Sequence, residues 1–469
     1  MQIKLENTLN NGAQTVIIPV FETENEVVFN EIKILKEIFS AKKDTQYITE
    51  KNSVVYYFIG LGKNAEYKTI ENGFRRIINK NKNVVKENTS IIIDENFTHN
   101  QIEAALVGFI TGSYKLSYFK ESDNNSDFLD SITLSVISSK DIQNIINKSV
   151  KIAKAKLDTF ALVDLPSNKI TPNYLADWAI NLKEIDNVSV SIFNKDEALQ
   201  QELFAFLAVS QGSANEPKFI IIDYHPQNAK KHIGLVGKGI TFDTGGLNIK
   251  TQAMVHMKCD MAGAAAVFGT MQLVANLALP HRVTAIVPAC ENAIDANSYK
   301  PSDVIKSYSR KTIEIIDTDA EGRLILADGL SYLIKNYKPE VIIDMATLTG
   351  SSVATFGNEC AALFSNNNDL VNKIQEAGEM VGEKSWQLPL WDTYKPDIES
   401  EIADVKNYSG KPVAGAISAA KFLEFFTENH PCWAHLDIAG VAFIDDEFAK
   451  TKHATAYGVQ LLTKFIENY

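Results

Sequence analysis

The sequence predicts an α/β protein with two domains, each a mixed or mostly parallel sheet covered by helices. Strand-like apolar runs alternate with amphipathic helical stretches, which is the pattern of a parallel, helix-covered sheet. The length of 469 residues is more than one domain usually needs. A helical stretch at about 139–156 precedes a proline-marked loop at 165–172. We therefore expect an N-terminal α/β domain over 1–150 and a C-terminal domain over 151–469.

The N-terminal 150 residues alternate short strand-like runs with polar helical ones. We expect strands over 15–20, 54–61, 91–93 and 132–137. We expect helices over 24–40, 67–81 and 100–114. The Asn-, Asp- and Ser-rich stretch 121–127 is typical of a surface loop.

In the C-terminal part, Pro172 after Thr171 predicts a helix start, because threonine caps helices and proline suits the first helical position. A further helix is expected over 261–278. The apolar runs predict strands at 187–193, 218–224, 233–242, 283–288 and 341–345. Ligands of such sheets gather at the carboxyl ends of the strands.

Composition and charge narrow the class of protein. The content of 45% hydrophobic and 22% charged residues is that of a globular protein. The net charge of -12 argues against nonspecific nucleic-acid binding, although a local basic patch around 75–86 remains open. No run reaches the roughly 18 apolar residues of a membrane span. The N-terminus lacks a signal-peptide pattern, and the four cysteines lack metal-ligand spacing, so we expect a cytoplasmic protein.

The most informative stretch is 313–330, IEIIDTDAEGRLILADGL, which reads as the end of a strand followed by a helix. Asp317, Asp319, Glu321 and Arg323 lie within seven residues at this junction. Carboxylates this close together repel one another unless a positive charge balances them. Solvent or Arg323 can supply that charge, and a divalent cation does it better because carboxylate oxygens are common metal ligands.

A second stretch, 233–246, reads IGLVGKGITFDTGG and carries Lys238 and Asp243 in an apolar strand. Lys250 and Asp260 follow shortly after it. Lys238 and Asp243 are five residues apart, so strict strand alternation puts them on opposite faces. A bulge or bend at Gly239, or a strand end near residue 241, would bring both to one site.

Structural roles for these residues remain open from the sequence alone. The carboxylates of Asp319 and Glu321 also suit a helix N-terminus. Arg323 can form an ion pair that neutralises the turn. Lys250 can be a solvated loop residue, and Lys238 can pair with Asp243.

The motifs TDAEGRL at 318–324, VGKGITFD at 236–243 and DMAGAA at 260–265 resemble those of the leucyl (cytosol) aminopeptidases. Three blocks in the same order are far more specific than one short motif. The resemblance runs from about residue 165 to the C-terminus. It implies a C-terminal catalytic domain that hydrolyses leucine-like and other N-terminal residues from peptides, by a water or hydroxide bridging two metal ions.

The resemblance also implies roles for individual residues. Two Zn²⁺ or Mn²⁺ ions per subunit are expected on Lys238, Asp243, Asp260, Asp319 and Glu321. The catalytic side chains are Lys250, which stabilises the oxyanion, and Arg323, which anchors bicarbonate. The implied substrate-binding residues are Met257, Thr347, Gly350 and Ala439. The family forms homohexamers, so we expect a homohexamer that acts on peptides with a free N-terminus. The composition and charge argue against membrane and nucleic-acid partners.

The chain departs from the family pattern at a few positions. Asp317 stands where the family usually has Asn, which adds a negative charge beside the ligands. The loop over 250–260 is one residue shorter than usual, and Ala456 and Gln460 replace a usual Gly and Arg. None of the three substituted residues, Asp317, Ala456 and Gln460, is an expected metal ligand, whereas the shorter loop bears on the placement of Lys250 and Met257.

Two other classes of function stay as alternatives. One is a DNA-binding or regulatory protein of the same family, which a salt-dependent DNA-binding assay would reveal. The other is a catalytically silent structural hexamer, which a metal assay would separate from an enzyme.

Overall fold

The computed structural model describes residues 1–120 and 129–469, so the predicted loop at 121–127 lies outside the described residues. These residues form two compact units. The first comprises Met1–Leu157, Met380–Gly382 and Glu447–Ala449, and the second comprises Asp158–Glu379, Glu383–Asp446 and Lys450–Tyr469. Both contain sheets and helices, which confirms the predicted α/β class. No helix among the described residues is long and apolar enough to cross a membrane.

The strands of the first unit are β1 (Gln2–Glu6), β2 (Thr15–Val20), β3 (Val27–Phe29), β4 (Ile32–Ile34), β5 (Gln46–Lys51), β6 (Val54–Gly60), β7 (Asn88–Ile92) and β8 (Thr133–Ile137). Its helices are α1 (Tyr67–Lys80), α2 (His99–Thr111) and α3 (Gln143–Asp164), the last of which continues into the second unit, with a short 3₁₀ helix at Lys82–Val84. The main sheet has the order β1-β8-β7-β2-β6-β5, and only the β5–β6 pair is antiparallel.

The predicted helix over 24–40 is wrong. The short antiparallel strands β3 and β4 occupy this region instead, with Asn30 at the turn between them. Asn30 has a φ of 51°, a left-handed conformation that asparagine tolerates better than most residues and that favours tight hairpin turns. The alternation of Ile32 and Ile34 around an exposed Lys33 is the signal that the helical interpretation missed.

The second unit carries the remaining elements. Its strands are β9 (Val188–Phe193), β10 (Lys218–Tyr224), β11 (His232–Gly237), β12 (Gly239–Asp243), β13 (Arg282–Asn292), β14 (Val304–Lys306), β15 (Thr312–Glu314), β16 (Val341–Ala346), β17 (Ala361–Ser365), β18 (Ser385–Gln387), β19 (Val405–Lys406), β20 (Trp433–Asp437), β21 (Phe443–Ile444) and β22 (His453–Ala454).

The helices of the second unit are α4 (Pro172–Ile180), α5 (Lys195–Gln200), α6 (Phe204–Ser210), α7 (Ala262–Asn276), α8 (Gly322–Tyr337), α9 (Gly350–Phe356), α10 (Asn368–Val381, which ends in the first unit), α11 (Gly415–Phe425) and α12 (Val459–Asn468). Short 3₁₀ helices lie at Asn181–Glu184, Met254–Cys259 and Asp392–Asp397. The predicted cap at Thr171 is confirmed, since its side chain accepts a hydrogen bond from Tyr174 N.

The large sheet of this unit has the order β18-β17-β20-β16-β11-β13-β10-β9, and β12 also pairs with β13. Its centre is parallel, because β20, β16, β11 and β13 run in the same direction. The carboxyl ends of these strands therefore lie along one edge, where ligands of α/β sheets collect. A small sheet, β14-β15-β19, leads into the junction before α8.

Helix α8 is held in place by burial along most of its length. Leu324, Ile325 and Leu330 are fully buried in a core cluster that includes Val236 of β11 and Ile286 of β13. Burying each such side chain stabilises the fold by about 1.5–3 kcal/mol. The first turn of α8 is thereby fixed against the carboxyl ends of the central strands.

Candidate metal centre

The central strand is interrupted at Lys238, between β11 and β12. Lys238 N donates a hydrogen bond to Met345 O at 3.0 Å. The pairing of β12 with β13 shifts in register between Ile240 and Asp243. Such an irregularity changes which face each side chain points to. Lys238 and Asp243 line one cavity. The break at Lys238 and the register shift after Ile240 lie on either side of Gly239, where a bulge or bend was one of the two predicted alternatives.

Lys238 lies among buried carboxylates. Its Nζ is 2.9 Å from Asp260 Oδ2 and 2.9 Å from Glu321 Oε1, and it donates to Thr347 O at 2.9 Å. Burial alone would lower the pKa of Lys238, but the two carboxylates outweigh it and raise the pKa above its usual value. The amine is therefore charged in this structure, and it must lose a proton to act as a metal ligand.

Lys250 pairs with the carboxylates at the other side of the cluster. Its Nζ lies 2.7 Å from Asp243 Oδ2 and also pairs with Asp319. Desolvation opposes the charged form, but the carboxylates of Asp243, Glu321 and Asp319 prevail and raise the pKa of Lys250. Lys250 is thus a cation of the site, and the alternative of a solvated loop lysine does not describe its position.

Three carboxylates converge within this cavity. Asp243, Asp319 and Glu321 each offer an oxygen, and these oxygens lie within 4.8 Å of one another. Burial, together with repulsion from Glu321, raises the pKa of Asp319 to about 7. Burial and repulsion from Asp243 likewise raise the pKa of Glu321. Close carboxylates with raised pKa values attract cations, because a bound cation removes the repulsion.

Several carboxylate oxygens at this place have no hydrogen-bond donor. Among the described residues, no donor reaches either oxygen of Glu321 or Oδ2 of Asp260 with hydrogen-bond geometry. Two of these oxygens, Asp260 Oδ2 and Glu321 Oε1, lie at ion-pair distance from Lys238 Nζ. A buried carboxylate oxygen without a partner costs free energy. The donor set of three buried carboxylates, the more exposed Asp319 and one amine therefore fits divalent metal ions.

Neighbouring side chains orient the carboxylates. Asn292 Nδ2 and Gly245 N each donate to Asp243 Oδ1 at 2.8 Å, which leaves Oδ2 facing Lys250. Gly245 has a φ of +86°, a conformation that glycine adopts readily. Thr347 Oγ1 donates to Asp260 Oδ1 at 2.8 Å. Such hydrogen bonds to a carboxylate fix the direction in which its other oxygen points.

Arg323 lies in the first turn of α8 and is almost fully buried. Its Nη1 donates to Asn407 O at 2.8 Å, while its Nε has no hydrogen-bond partner among the described residues. Burial lowers the pKa of Arg323 to about 10, so the guanidinium remains charged at neutral pH. In the described part of the chain it forms no ion pair with Asp319 or Glu321, and the neutralising ion pair left open by the sequence is absent.

A single cavity of about 850 Å³ joins these groups. Its volume is within the usual range of ligand sites. All eleven residues expected at the site line it, namely Lys238, Asp243, Lys250, Met257, Asp260, Asp319, Glu321, Arg323, Thr347, Gly350 and Ala439. Asp317 also lines the cavity, and its Oδ1 accepts from Asp319 N at 2.8 Å, so it supports the turn.

The sequence did not point to three buried polar residues that support the site: Asn292, Asn407 and Asp437. Asp437 accepts hydrogen bonds from Leu348 N at 3.2 Å, Ala439 N at 3.2 Å and Thr349 Oγ1. It thereby holds the segment after β16 against the segment after β20. Its place at the carboxyl end of β20 is a signal that could have been used, because that is where such sheets bind ligands.

Comparison with known proteins identifies the class. The model of the cytosol aminopeptidase family, catalytic domain, matches residues 159–463. A "Probable cytosol aminopeptidase" of Chlorobaculum tepidum is 39% identical over 439 residues, which cover 90% of this chain and 87% of the relative. A relative of the same name in Chlamydia abortus is 41% identical over 430 residues, which cover 88% of this chain and 85% of the relative.

The chain also superposes on solved structures over almost its whole length. The bottromycin maturation enzyme BotP superposes with a TM-score of 0.85 at 25% identity, covering 97% of this chain and 99% of that one. The same enzyme in complex with Mn superposes with a TM-score of 0.85 at 26% identity and with the same coverage. The fold and the site define a metal-dependent aminopeptidase. The chain belongs to the cytosol aminopeptidase family.

Proposed function

We propose that the cavity binds two divalent metal ions and cleaves the first residue from peptides with a free N-terminus. The proposed metal ligands are Lys238, Asp243, Asp260, Asp319 and Glu321. The observation that carries the proposal is the convergence of oxygens of Asp243, Asp319 and Glu321 within 4.8 Å, beside Glu321 Oε2, a buried oxygen that accepts no hydrogen bond from the described residues. Oxygen ligands with one amine suit Zn²⁺ or Mn²⁺.

When bound, the two ions would supply an activated water and polarise the carbonyl of the scissile peptide bond. Lys250 would hold a fixed positive charge where the carbonyl oxygen becomes negative during the reaction. Its ion pairs with Asp243 and Asp319 support this role, because they keep the ammonium beside the carboxylates. A positioned charge in a site shielded from water stabilises such an oxyanion strongly.

Arg323 is proposed to bind bicarbonate, which would accept a proton from the attacking water. The support is chemical: a buried guanidinium faces the cavity, its Nε lacks a partner among the described residues, and its Nη1 is fixed by Asn407 O. A guanidinium presents donors in a fixed fork that matches a planar oxyanion.

The substrate is proposed to enter with its amino terminus towards the metal ligands. Met257, Thr347, Gly350 and Ala439 would then contact the side chain of the first residue. Apolar atoms of Met257 and Ala439 suit leucine-like side chains, and a Cβ built on Gly350 would meet no atom within 4 Å, so this wall has room. A peptide with a blocked amine would lose the anchoring group.

We also propose the division into domains 1–150 and 151–469, a homohexamer and a cytoplasmic location. The names of the relatives, which contain "cytosol aminopeptidase", support the last of these. Sedimentation of the purified chain would test the hexamer, which predicts a particle near six times 52.0 kDa.

No observation favours the DNA-binding alternative. Within the basic stretch 75–86, Arg76 and Lys80 both form ion pairs with Glu447, which neutralises part of the patch. The net charge of -12 also disfavours DNA.

The test of the proposed function uses leucine amide and N-acetyl-leucine amide as a matched pair. The purified chain, supplied with Zn²⁺ or Mn²⁺, is expected to cleave the first and spare the second. Glu321→Gln is expected to lose both metal and activity, whereas Glu340→Gln, an exposed residue outside the cavity that pairs with Lys231, is expected to keep both. Equal cleavage of the two amides would overturn the aminopeptidase assignment of this cavity.

A further inference from the structure

We propose that Asn407 is a positioning residue that fixes the metal-binding turn and Arg323 at the same time. The proposal rests on the proposed function, since it assigns a purpose to the contacts of Asn407 with the turn that carries Asp319 and Glu321. Asn407 itself does not line the cavity. It is fully buried, and it directly follows β19.

The backbone places Asn407 beside the strand that leads into the turn. β19 pairs in parallel with β15, and Asn407 N donates to Glu314 O at 3.0 Å. This pairing extends the small sheet to Glu314, the last residue of β15, after which the chain leads into the turn. The side chain of Asn407 is therefore directed along the segment 316–320, which the sheet no longer pairs.

The side chain satisfies four main-chain groups of that segment. Its Oδ1 accepts from Ile316 N at 2.7 Å and from Asp317 N at 3.3 Å. Its Nδ2 donates to Asp317 O at 2.6 Å and to Ala320 O at 3.4 Å. An amide is the side chain that offers two donors and two acceptor sites at this size. One residue thus supplies the hydrogen bonds that a regular element would otherwise supply.

The main chain of Asn407 performs a second task. Its carbonyl oxygen accepts from Arg323 Nη1 at 2.8 Å. The turn with Asp319 and Glu321 and the guanidinium of Arg323 are therefore attached to one residue, 84 positions from Arg323 in the chain. Displacement of Asn407 would move the metal ligands and the anion-binding group together.

The substitution Asn407→Asp removes the hydrogen bonds that Nδ2 donates and leaves the main-chain contact with Arg323 in place. A carboxylate keeps the acceptors but has no donor, and it would face the carbonyl oxygens of Asp317 and Ala320 across the present hydrogen bonds. The repulsion would open the turn and displace Asp319. Asn407 bonds the main chain of Asp317 and Ala320, which flank Asp319, and loss of groups that orient metal ligands weakens metal binding by about 10–100-fold in other proteins.

Asn366, which is exposed where Asn407 is buried, provides a control for the loss of an amide donor. Its Oδ1 accepts from Trp433 N at 3.0 Å and its Nδ2 donates to His430 O at 2.7 Å, so it also joins main-chain segments. It does not line the cavity. Asn366→Asp therefore breaks the same kind of hydrogen bond without touching the metal ligands.

The experiment is a calorimetric titration of Mn²⁺ into the full chain after removal of metal with a chelator. Thermal unfolding is measured in the chelator for each variant. We expect Asn407→Asp to weaken at least one of two Mn²⁺ sites by about 10–100-fold. Asn366→Asp should bind Mn²⁺ as the unmodified chain does, even where it lowers the unfolding temperature equally.

The outcomes separate the two proposals. If Asn407→Asp binds both ions with unchanged affinity, Asn407 is not a positioning residue, and the metal site itself stands. If the unmodified chain binds no Mn²⁺, the proposed function falls, and the role of Asn407 falls with it. Asn407→Ser, which keeps one donor and one acceptor, replaces Asn407→Asp where the latter does not fold, and its expected loss of affinity is intermediate.

Discussion

Gly322 and Lys238 lie so close that only a hydrogen atom fits between them. A Cβ built on Gly322 would come within 2.5 Å of Lys238 Cε and 2.6 Å of Lys238 Nζ. Heavy atoms that are not bonded to each other do not approach so closely. The glycine at the start of α8 therefore lets the amine of Lys238 pass to Asp260 and Glu321.

Gly322→Ala is expected to abolish most activity while the chain stays folded. The added methyl group meets the flexible end of the lysine, so the lysine is displaced from its carboxylates rather than the backbone from its place. Alanine is also favoured over glycine within a helix by about 0.5–1 kcal/mol. Steady-state hydrolysis of leucine amide and calorimetric Mn²⁺ titration would measure the loss, which we expect to exceed about 10-fold in metal affinity.

Gly73→Ala is the control for this substitution. Gly73 lies within α1, and a Cβ there would meet Ile59 Cγ2 at 3.5 Å, an ordinary contact. We expect full activity in this variant. Full activity in Gly322→Ala as well would contradict the role given to Lys238.

Metal binding is expected to release protons. Lys238 is protonated in this structure because the carboxylates raise its pKa, and an amine ligand must be neutral. Asp319, whose pKa is raised to about 7 by burial and by Glu321, adds a second proton when the pH is below that value. Proton release on metal binding should therefore be larger at pH 6 than at pH 8. At pH 8 Asp319 is already ionised, and the released proton comes from Lys238.

Calorimetric titration of Mn²⁺ in buffers with different ionisation enthalpies would count these protons. The slope of the observed enthalpy against the ionisation enthalpy gives the number released. Lys238→Met is the comparison variant, and it should release one proton fewer at pH 8. A slope of zero at pH 8 in the unmodified chain would exclude Lys238 as a ligand.

The contribution of Asp319 to the stability of the chelator-treated chain is expected to fall as the pH rises from about 4 to about 7. The folded pKa of Asp319 is raised from 3.8 to about 7, so the folded state binds more protons than the unfolded state in this interval. Stability from this group is full below its unfolded pKa and is lost through the folded pKa. Asp319→Asn removes the titration.

Urea unfolding at a series of pH values would measure this difference between the unmodified chain and Asp319→Asn. The comparison is needed because other buried groups titrate in the same interval. Burial also raises the pKa of Asp328 to about 7, for example, and the subtraction removes its contribution. Parallel stability curves for the two proteins would contradict the raised pKa of Asp319.

Local pattern was sufficient for many of the elements. β2 has the predicted bounds, because Thr15–Val20 is a continuous apolar run that the sheet buries. The bounds of α1 agree with prediction to within one residue, and those of α2 to within three residues. The hairpin of β3 and β4 was missed because its strands are three residues long, too short for periodicity to separate them from a helix.

The residues of the candidate site also fall into a group that local motifs predict and a group that they do not. The proposed metal ligands were predictable because they lie in dense motifs, four of them close to two strand ends. Asn292, Asn407 and Asp437 were not, since each contacts a segment distant in the chain, and a single buried amide or carboxylate carries no local pattern. The Asn407 contact with Arg323 spans 84 residues, a separation that only the folded chain reveals.

Two ions are proposed to bind to Lys238, Asp243, Asp260, Asp319 and Glu321. Anomalous diffraction from crystals grown with Mn²⁺ would locate them. We expect two anomalous peaks in the cavity of each chain, each within ligand distance of these side chains. Crystals in which the cavity shows no anomalous peak, or in which Mn²⁺ binds away from these five residues, would contradict this proposal.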